Sequence, residues 1–359
     1  MSSPEPGTDP RLRTRICTLL GIDWPIVQTG MGWVAGARLA AATSTAGGLG
    51  IIASATMTFE QLTAAIGEVK DRTGRPFGVN LRSDHAEVDR FVDLLLREGV
   101  RVASFAQAPN ERLIKRLQDG GVACMPTVAA RRHAEKVAAW GVDAVIAQGH
   151  EGGGHTGPVP TSLLLPQVAA AVDIPVLGAG GFMDGRGLVA ALAWGAAGIA
   201  MGTRFLLTKE STVPDAVKAR YLEAAVTDTV VTRAVDGVPQ RVIRTDLVDR
   251  LERSHGVLAL GRAVSSAMRL RRLTGTSLAG LAREGLAMRR SGDMSLAQVA
   301  MAANAPMLTR AAMVDGRLDT GILPTGQVAG RIESLPTVAE VIDSIVAEAG
   351  STLDRLCAR

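Results

Sequence analysis

Apolar runs rich in β-branched residues recur along this chain at regular intervals. Eight of them, PIVQTG, GLGIIA, PFGVNL, VRVASF, VACMPT, VDAVIAQG, IPVLGAG and AGIAMG, fall between Pro25 and Gly202. They are continuous rather than alternating, which marks strands buried on both faces. Between them, FEQLTAAIGEVKDRTG, EVDRFVDLLLREG, NERLIKRLQDGG, ARRHAEKVAAWG and RGLVAALAWGA repeat apolar residues with helical spacing. Most of these end in or near a glycine, the usual stop for a helix. Eight βα units of this kind predict an α/β fold, a (β/α)8 TIM barrel, with a doubly wound open sheet as the alternative.

Beyond Lys209 the alternation stops. PDAVKARYLEAAV, LVDRLERSHGVLALGRAVSSAMRLRRL, SLAGLAREGLAMRR and SLAQVAMAANAPML read as helices. The predicted organisation is a disordered N-terminus over residues 1–15, a barrel built from 16–210 and 311–359, and a helical substrate-cap subdomain over 211–310 lying across the barrel mouth. The returning segment, GILPTGQVAGRI, leads into an amphipathic helix, TVAEVIDSIVAEAG.

Composition narrows the class more than the chemistry. With 47% hydrophobic and 21% charged residues among 359, the chain has ample material for a globular core. No run approaches the roughly 18–20 apolar residues of a membrane span, and the polar start MSSPEPGTDPRLRTR lacks a signal-peptide core. Cys17, Cys124 and Cys357 lie far apart without metal-ligand spacing, so the expectation is a cytoplasmic protein with reduced thiols and no metal. The net charge is +4, and only five of the 39 basic residues are lysine. Arginine abundance therefore follows a compositional bias, and only its placement is informative.

Barrel enzymes carry their chemistry at the C-terminal ends of the strands. The unusual residues fall there: Gly30 and Met31 after the first strand, Asn80 after the third, Thr127 after the fifth, and QGHEGGGHTG (148–157) after the sixth. Gly180 and Gly181 follow the seventh strand, and Gly202 and Thr203 the eighth. GAGGFMDGRG and AMGTRF, on consecutive strands, predict a phosphate site made of backbone N–H groups and the Thr203 hydroxyl, although each alone reads equally as a plain turn. The loop 148–157 is either a long surface loop or a place where something approaches the main chain beside His150 and His155.

In order, PIVQTGMG, FGVNL, QGHEGGGHTG, AGGFMDGRG and MGTRF resemble the flavin-binding barrel family of nitronate monooxygenases, once called 2-nitropropane dioxygenases, which also includes flavin-dependent enoyl-acyl-carrier-protein reductases. The resemblance spans nearly the whole chain. It implies a non-covalent FMN in the barrel mouth, with Gly30 and Met31 against the ring system and Asn80 and Gln148 on its polar edge or ribityl chain. Thr127, Gly153, Gly154, Ala179 and Met201 would join the cofactor site. Gly180, Gly181, Gly202 and Thr203 would hold the phosphate, and Gln327 of TGQVAG would close the site. His155 matches the family's catalytic histidine, able to move a proton or stabilise an anion beside the flavin N5; a histidine bonded to loop backbone is the alternative. His150, where the family usually has another residue, reads as structural, and Glu151 as orienting the loop or capping the next helix. His85, His133 and His255 read as solvated, and Tyr221 has only a remote claim as a proton donor.

The substrate is less defined. Arg262, Arg269, Arg271, Arg272, Arg283, Arg289 and Arg290 follow one another with Glu284 as the only acid among them. They form either a solvated helix face or a polyphosphate site. Arg262, Arg269, Arg271 and Arg272 are the candidate substrate ligands, since guanidinium groups pair bidentately with phosphates such as those of coenzyme A. Aromatics are 3% of the chain, which disfavours stacking on nucleic acid. QTGMGWVAG, GHEGGGHTGP and MAANAPML further resemble an actinobacterial steroid-degradation subgroup that uses FMN with a nicotinamide on a CoA thioester. Three readings stand: an FMN enzyme with NAD(P)H as co-substrate that dehydrogenates or reduces a CoA thioester at the α,β-position, a nitronate monooxygenase using oxygen, and a flavin- or CoA-binding regulator without turnover. The apolar helical cap allows a homodimer.

Overall fold

A computed structural model of the chain describes residues 9–106, 109–253 and 304–358. Its strands are β1 (Ile26–Gln28), β2 (Leu49–Ala53), β3 (Phe77–Leu81), β4 (Val102–Phe105), β5 (Ala123–Val128), β6 (Val145–Gln148), β7 (Gly154–His155), β8 (Val176–Ala179), β9 (Gly198–Met201), β10 (Thr229–Thr232) and β11 (Gln240–Ile243). All eight predicted apolar runs form strands, and β1-β2-β3-β4-β5-β6-β8-β9 close into a parallel barrel, β9 returning to β1 with Val27 opposite Ala200. The open-sheet alternative is thereby excluded.

Alternate residues of each strand face opposite ways, and two apolar clusters result. Val27, Leu49, Ile51, Val102, Met125, Ile146 and Leu177 fill the barrel interior together with Ile16 and Leu20 of α1 (Arg15–Leu20), which plugs the lower end. Ile26, Ile52, Val79, Cys124 and Ile199 face the surrounding helices. Those helices are α2 (Ala37–Thr45), α3 (Phe59–Arg72), α4 (Val88–Glu98), α5 (Glu111–Asp119), α6 (Arg131–Ala139), α7 (Thr161–Ala169) and α8 (Gly185–Ala193). After the short α9 (Thr203–Leu206) come α10 (Asp215–Leu222), α11 (Asp246–Arg253), α12 (Asn304–Met313) and α13 (Val338–Cys357). The last begins with a capping box, Thr337 with Glu340, and packs on α8, where Gly185 N donates to Glu348 at 2.8 Å.

Two expectations are corrected. Residues 9–15, read as part of a disordered start, are ordered: Asp9 accepts from Arg11 N, Leu12 is fully buried, and Arg15 opens α1. The segment after Lys209, read as all-helical, contains β10 and β11, an antiparallel pair with Val230 opposite Val242. Thr229–Thr232 is β-branched throughout, and β11 gains a second partner in β7, Gln240 standing opposite His155.

The helix layer lies so close to the barrel that some positions exclude any side chain. A Cβ on Gly50 in β2 would stand 1.9 Å from the carbonyl oxygen of Ala40 in α2, whereas a Cβ on Gly67 in α3 would meet nothing within 4 Å. Gly50→Ala is expected to lower stability in urea unfolding by about 1–3 kcal/mol or more through overpacking. Gly67→Ala should raise it by roughly 0.5–1 kcal/mol by limiting the unfolded chain; equal effects would contradict this packing.

Candidate active site

The open end of the barrel is floored by main chain. After β6, Gly149 N donates to Ala179 O at 2.9 Å, drawing the loop onto the end of β8. Gly180 follows at φ +91°, and a Cβ there would lie 3.0 Å from Gly152 N and 3.1 Å from Gly149 O. On the other side, a Cβ on Gly153 would stand 2.5 Å from the Thr325 carbonyl carbon and 2.6 Å from Gly326 N. Gly326 N in turn donates to Thr203 Oγ1 at 2.9 Å, and Gln327 N to Glu151 O at 3.0 Å. The loop after β6, the turn after β8, Thr203 and the TGQ segment are thus brought together, with Gly153 and Gly180 at the tightest approaches.

Charged groups fix this loop from its sides. Glu151 accepts from Thr161 N at 2.9 Å and lies 2.8 Å from Thr161 Oγ1, so it caps α7. Arg241 of β11, 3% exposed, donates from Nη2 and Nε to His150 O at 3.0 and 3.3 Å and from Nη1 to Thr229 Oγ1 at 2.8 Å. Burial pulls this guanidinium below its ordinary range, and the Glu151 carboxylate opposes the shift. His150 Nδ1 lies 2.8 Å from Gly157 O; a carbonyl only accepts, so Nδ1 carries the proton and His150 braces the loop.

His155 is placed differently. Its side chain is 57% exposed, and its Nε2 lies 2.7 Å from Oδ2 of Asp236, whose side chain is 5% exposed. Asp236 belongs to the 233–239 connection between β10 and β11, and its Oδ1 accepts from Val238 N at 3.1 Å. Thr156 N donates to Pro239 O, which makes His155 and Gln240 a non-hydrogen-bonded pair with neighbouring side chains. Gln240 is 2% exposed and its Nε2 has no hydrogen-bond partner. An unsatisfied buried amide costs about 1–3 kcal/mol. Sequence reasoning missed Asp236 and Gln240, although Asp236-Gly237 between two β-prone runs carries a hairpin signal.

The remaining predicted residues fall around the same mouth. A Cβ on Gly30 would collide with Asn80 Cβ at 2.5 Å; Asn80 donates from Nδ2 to Ser104 Oγ at 2.9 Å. Gly202 lies against Met31, whose sulfur would stand 3.3 Å from a Cβ at that position. Gln148 donates to His155 O at 2.7 Å, Thr127 ends half-buried in β5, and Ala179 and Met201 are buried at the ends of β8 and β9. A Cβ on Gly181, at φ +84°, would lie 3.8 Å from Glu151 Cβ, and one on Gly154 would meet nothing within 4 Å. Arg204 of MGTRF is spent on structure: 9% exposed, it donates to Leu207 O and Ser334 O, and burial lowers it to about 10. Tyr221 is buried and donates to Pro324 O at 2.8 Å, so it anchors the segment leading to Gln327. Trp33 adopts φ +65°, rare for a bulky residue, and its indole donates to Pro306 O at 2.8 Å, tying the β1 rim to α12. Arg262, Arg269, Arg271, Arg272 and the rest of that arginine group, with His255, lie outside the described residues. Among the described residues, no group of three or more His, Cys, Asp or Glu is placed to hold a metal, and no helix is long and apolar enough to cross a membrane.

Comparison with known proteins gives a consistent result. The family model described as nitronate monooxygenase matches residues 13–91 and 86–348. The chain is 56% identical over 345 residues, 96% of its length and 98% of the relative's, to the (3aS,4S,5R,7aS)-5-hydroxy-7a-methyl-1-oxo-octahydro-1H-indene-4-carboxyl-CoA dehydrogenase of Rhodococcus jostii. It is 57% identical to the Mycobacterium tuberculosis protein of that name, covering 94% of this chain and 96% of the relative. Among solved structures, FabK from Thermotoga maritima superposes with a TM-score of 0.78 at 35% identity, covering 96% of this chain and 99% of that one.

The glycine floor makes a measurable claim. Gly153→Ala must push the loop off Thr325–Gly326, at a cost of about 1–3 kcal/mol. Amide hydrogen exchange over 149–157 and 324–331 is expected to rise roughly tenfold or more while β1–β6 stay protected; unchanged exchange in both segments would refute the contact.

Proposed function

The chain belongs to the nitronate monooxygenase family, and from that premise we propose that it is an FMN-dependent oxidoreductase acting at the α,β-position of a CoA thioester, with NAD(P)H or its oxidised form as co-substrate. The observation that carries the reading is the near full-length likeness to two CoA-thioester dehydrogenases. The mouth suits a phosphorylated cofactor: Gly180 and Gly181, both at positive φ, and Gly202 bring bare main chain to the ends of β8 and β9, and Thr203 Oγ1, while accepting from Gly326 N, keeps its own proton to donate.

In this proposal Gly180, Gly181, Gly202 and Thr203 hold the phosphate, and Gly30, Met31, Asn80, Thr127, Gln148, Gly153, Gly154, Ala179, Met201 and Gln327 surround the rest of the FMN. Bound FMN supplies the two-electron exchange. The chain supplies the proton chemistry: a thioester carbonyl acidifies its α C–H, and the exposed His155 ring takes or returns that proton. The segment 211–310 forms the substrate side over the barrel of 16–210 and 311–359, and Arg262, Arg269, Arg271 and Arg272 pair with the phosphates of coenzyme A. The competing reading, oxidation of a nitronate with oxygen, is supported by the family description itself and would use the same histidine.

Anaerobic rapid mixing separates the two. A nicotinamide and a CoA thioester should each exchange electrons with the bound flavin, and His155→Ala should slow the thioester step by roughly 10²–10⁴ while flavin content is kept. A flavin bleached rapidly by a nitronate and inert to nicotinamides and thioesters would overturn the proposal. Arg271→Ala with Arg272→Ala should raise KM for the thioester about tenfold or more, the equivalent of losing one charged contact; an unchanged KM removes these arginines from the site.

A further inference from the structure

The mouth of the barrel contains one buried acid whose placement the cofactor site does not explain. Asp236 comes from outside the barrel, on the connection of the β10–β11 hairpin, and is 4% exposed. A buried carboxylate is costly unless it is paired and hydrogen-bonded. Its two oxygens are divided between two jobs: Oδ1 accepts from Val238 N at 3.1 Å and fixes the connection, while Oδ2 lies 2.7 Å from His155 Nε2. We infer that Asp236 is a positioning residue for the reaction, setting the tautomer and orientation of His155.

The chemistry follows from donor and acceptor rules. A carboxylate only accepts, so the neutral imidazole carries its proton on Nε2, and Nδ1 is left as the basic nitrogen. Nδ1 has no hydrogen-bond partner among the described residues, and more than half of the side chain is exposed. When Nδ1 takes a proton, Asp236 stabilises the imidazolium without receiving the proton itself. The backbone confines the ring from the other direction. His155 is held in β7 opposite Gln240 of β11, and its carbonyl accepts from Gln148 at 2.7 Å. The ring is therefore fixed at both ends, by its own strand and by Asp236. The hairpin thus completes a proton-handling pair of which the barrel contributes only half.

This inference rests on His155 being the proton-handling group of the proposed function, and it holds whichever substrate is turned over. It is tested in the holoenzyme with Asp236→Asn, His155→Ala and the double variant, on whichever of a CoA thioester or a nitronate the wild type converts. A thioester-inactive, nitronate-active wild type would defeat the substrate assignment above and leave this test intact. Asp236→Asn is isosteric but can present an N–H to the imidazole, favouring the wrong tautomer. It is expected to lower kcat by roughly 10²–10⁴ with KM within about threefold, FMN affinity unchanged and partial recovery in Asp236→Glu. The double variant should be no slower than His155→Ala, because residues acting as one unit are non-additive. Histidine ¹⁵N NMR of the oxidised holoenzyme should show a single Nε2–H tautomer for His155 in the wild type and its loss in Asp236→Asn. Full additivity of the two substitutions, a kcat kept within threefold in Asp236→Asn, or an unchanged His155 tautomer would overturn the inference.

Discussion

At the open end of the barrel, the main chain after β6 lies against the β8 turn on one side, where the Thr161 hydroxyl donates to Gly180 O, and against Thr325–Gly326 on the other. Backbone can approach backbone this closely only where Cβ is absent. Once the three segments are joined, the loop 148–157 has no freedom to wander, and Glu151 and Arg241 can hold it by its flanks. The exposed position of His155 and the register of β7 on β11 both follow from that fixed loop. Remove the close approach and the site loses its floor and its histidine together.

The site is also a junction between two parts of the chain. The barrel supplies the floor and His155; the hairpin supplies Asp236, Gln240 and Arg241. Trp33 makes a second junction, donating from the rim of β1 to Pro306 at the start of α12. Burying Arg241, Asp236 and the orphan Gln240 amide beside one loop costs stability that an apolar packing would not. Such costs concentrate where a protein holds groups ready for a ligand.

Much of this was legible in the residues, and the physical reason is locality. Strand cores such as GLGIIA and VDAVIAQG are continuous apolar runs because both faces are buried, and every one became a barrel strand. The glycines at 149–154, 180–181 and 202 announced close approach by their number at strand ends. Asp236 gave no comparable signal: its partner is 81 residues away, and nothing in RAVDGVPQ says that a histidine will stand opposite. The hairpin itself hid among helix-like neighbours, although its β-branched run and Asp-Gly pair were readable. Likewise φ at Trp33 comes from tertiary anchoring, which a local pattern does not encode.

In the proposed site, Gly180, Gly181, Gly202 and Thr203 hold the phosphate of a flavin mononucleotide. Titrating the apoprotein with FMN and with riboflavin, which lacks only that phosphate, isolates the phosphate's share of the binding. FMN should bind at least about a hundredfold more tightly, a difference of about 2.7 kcal/mol. Equal affinities for the two flavins, or no binding of either, would contradict the account.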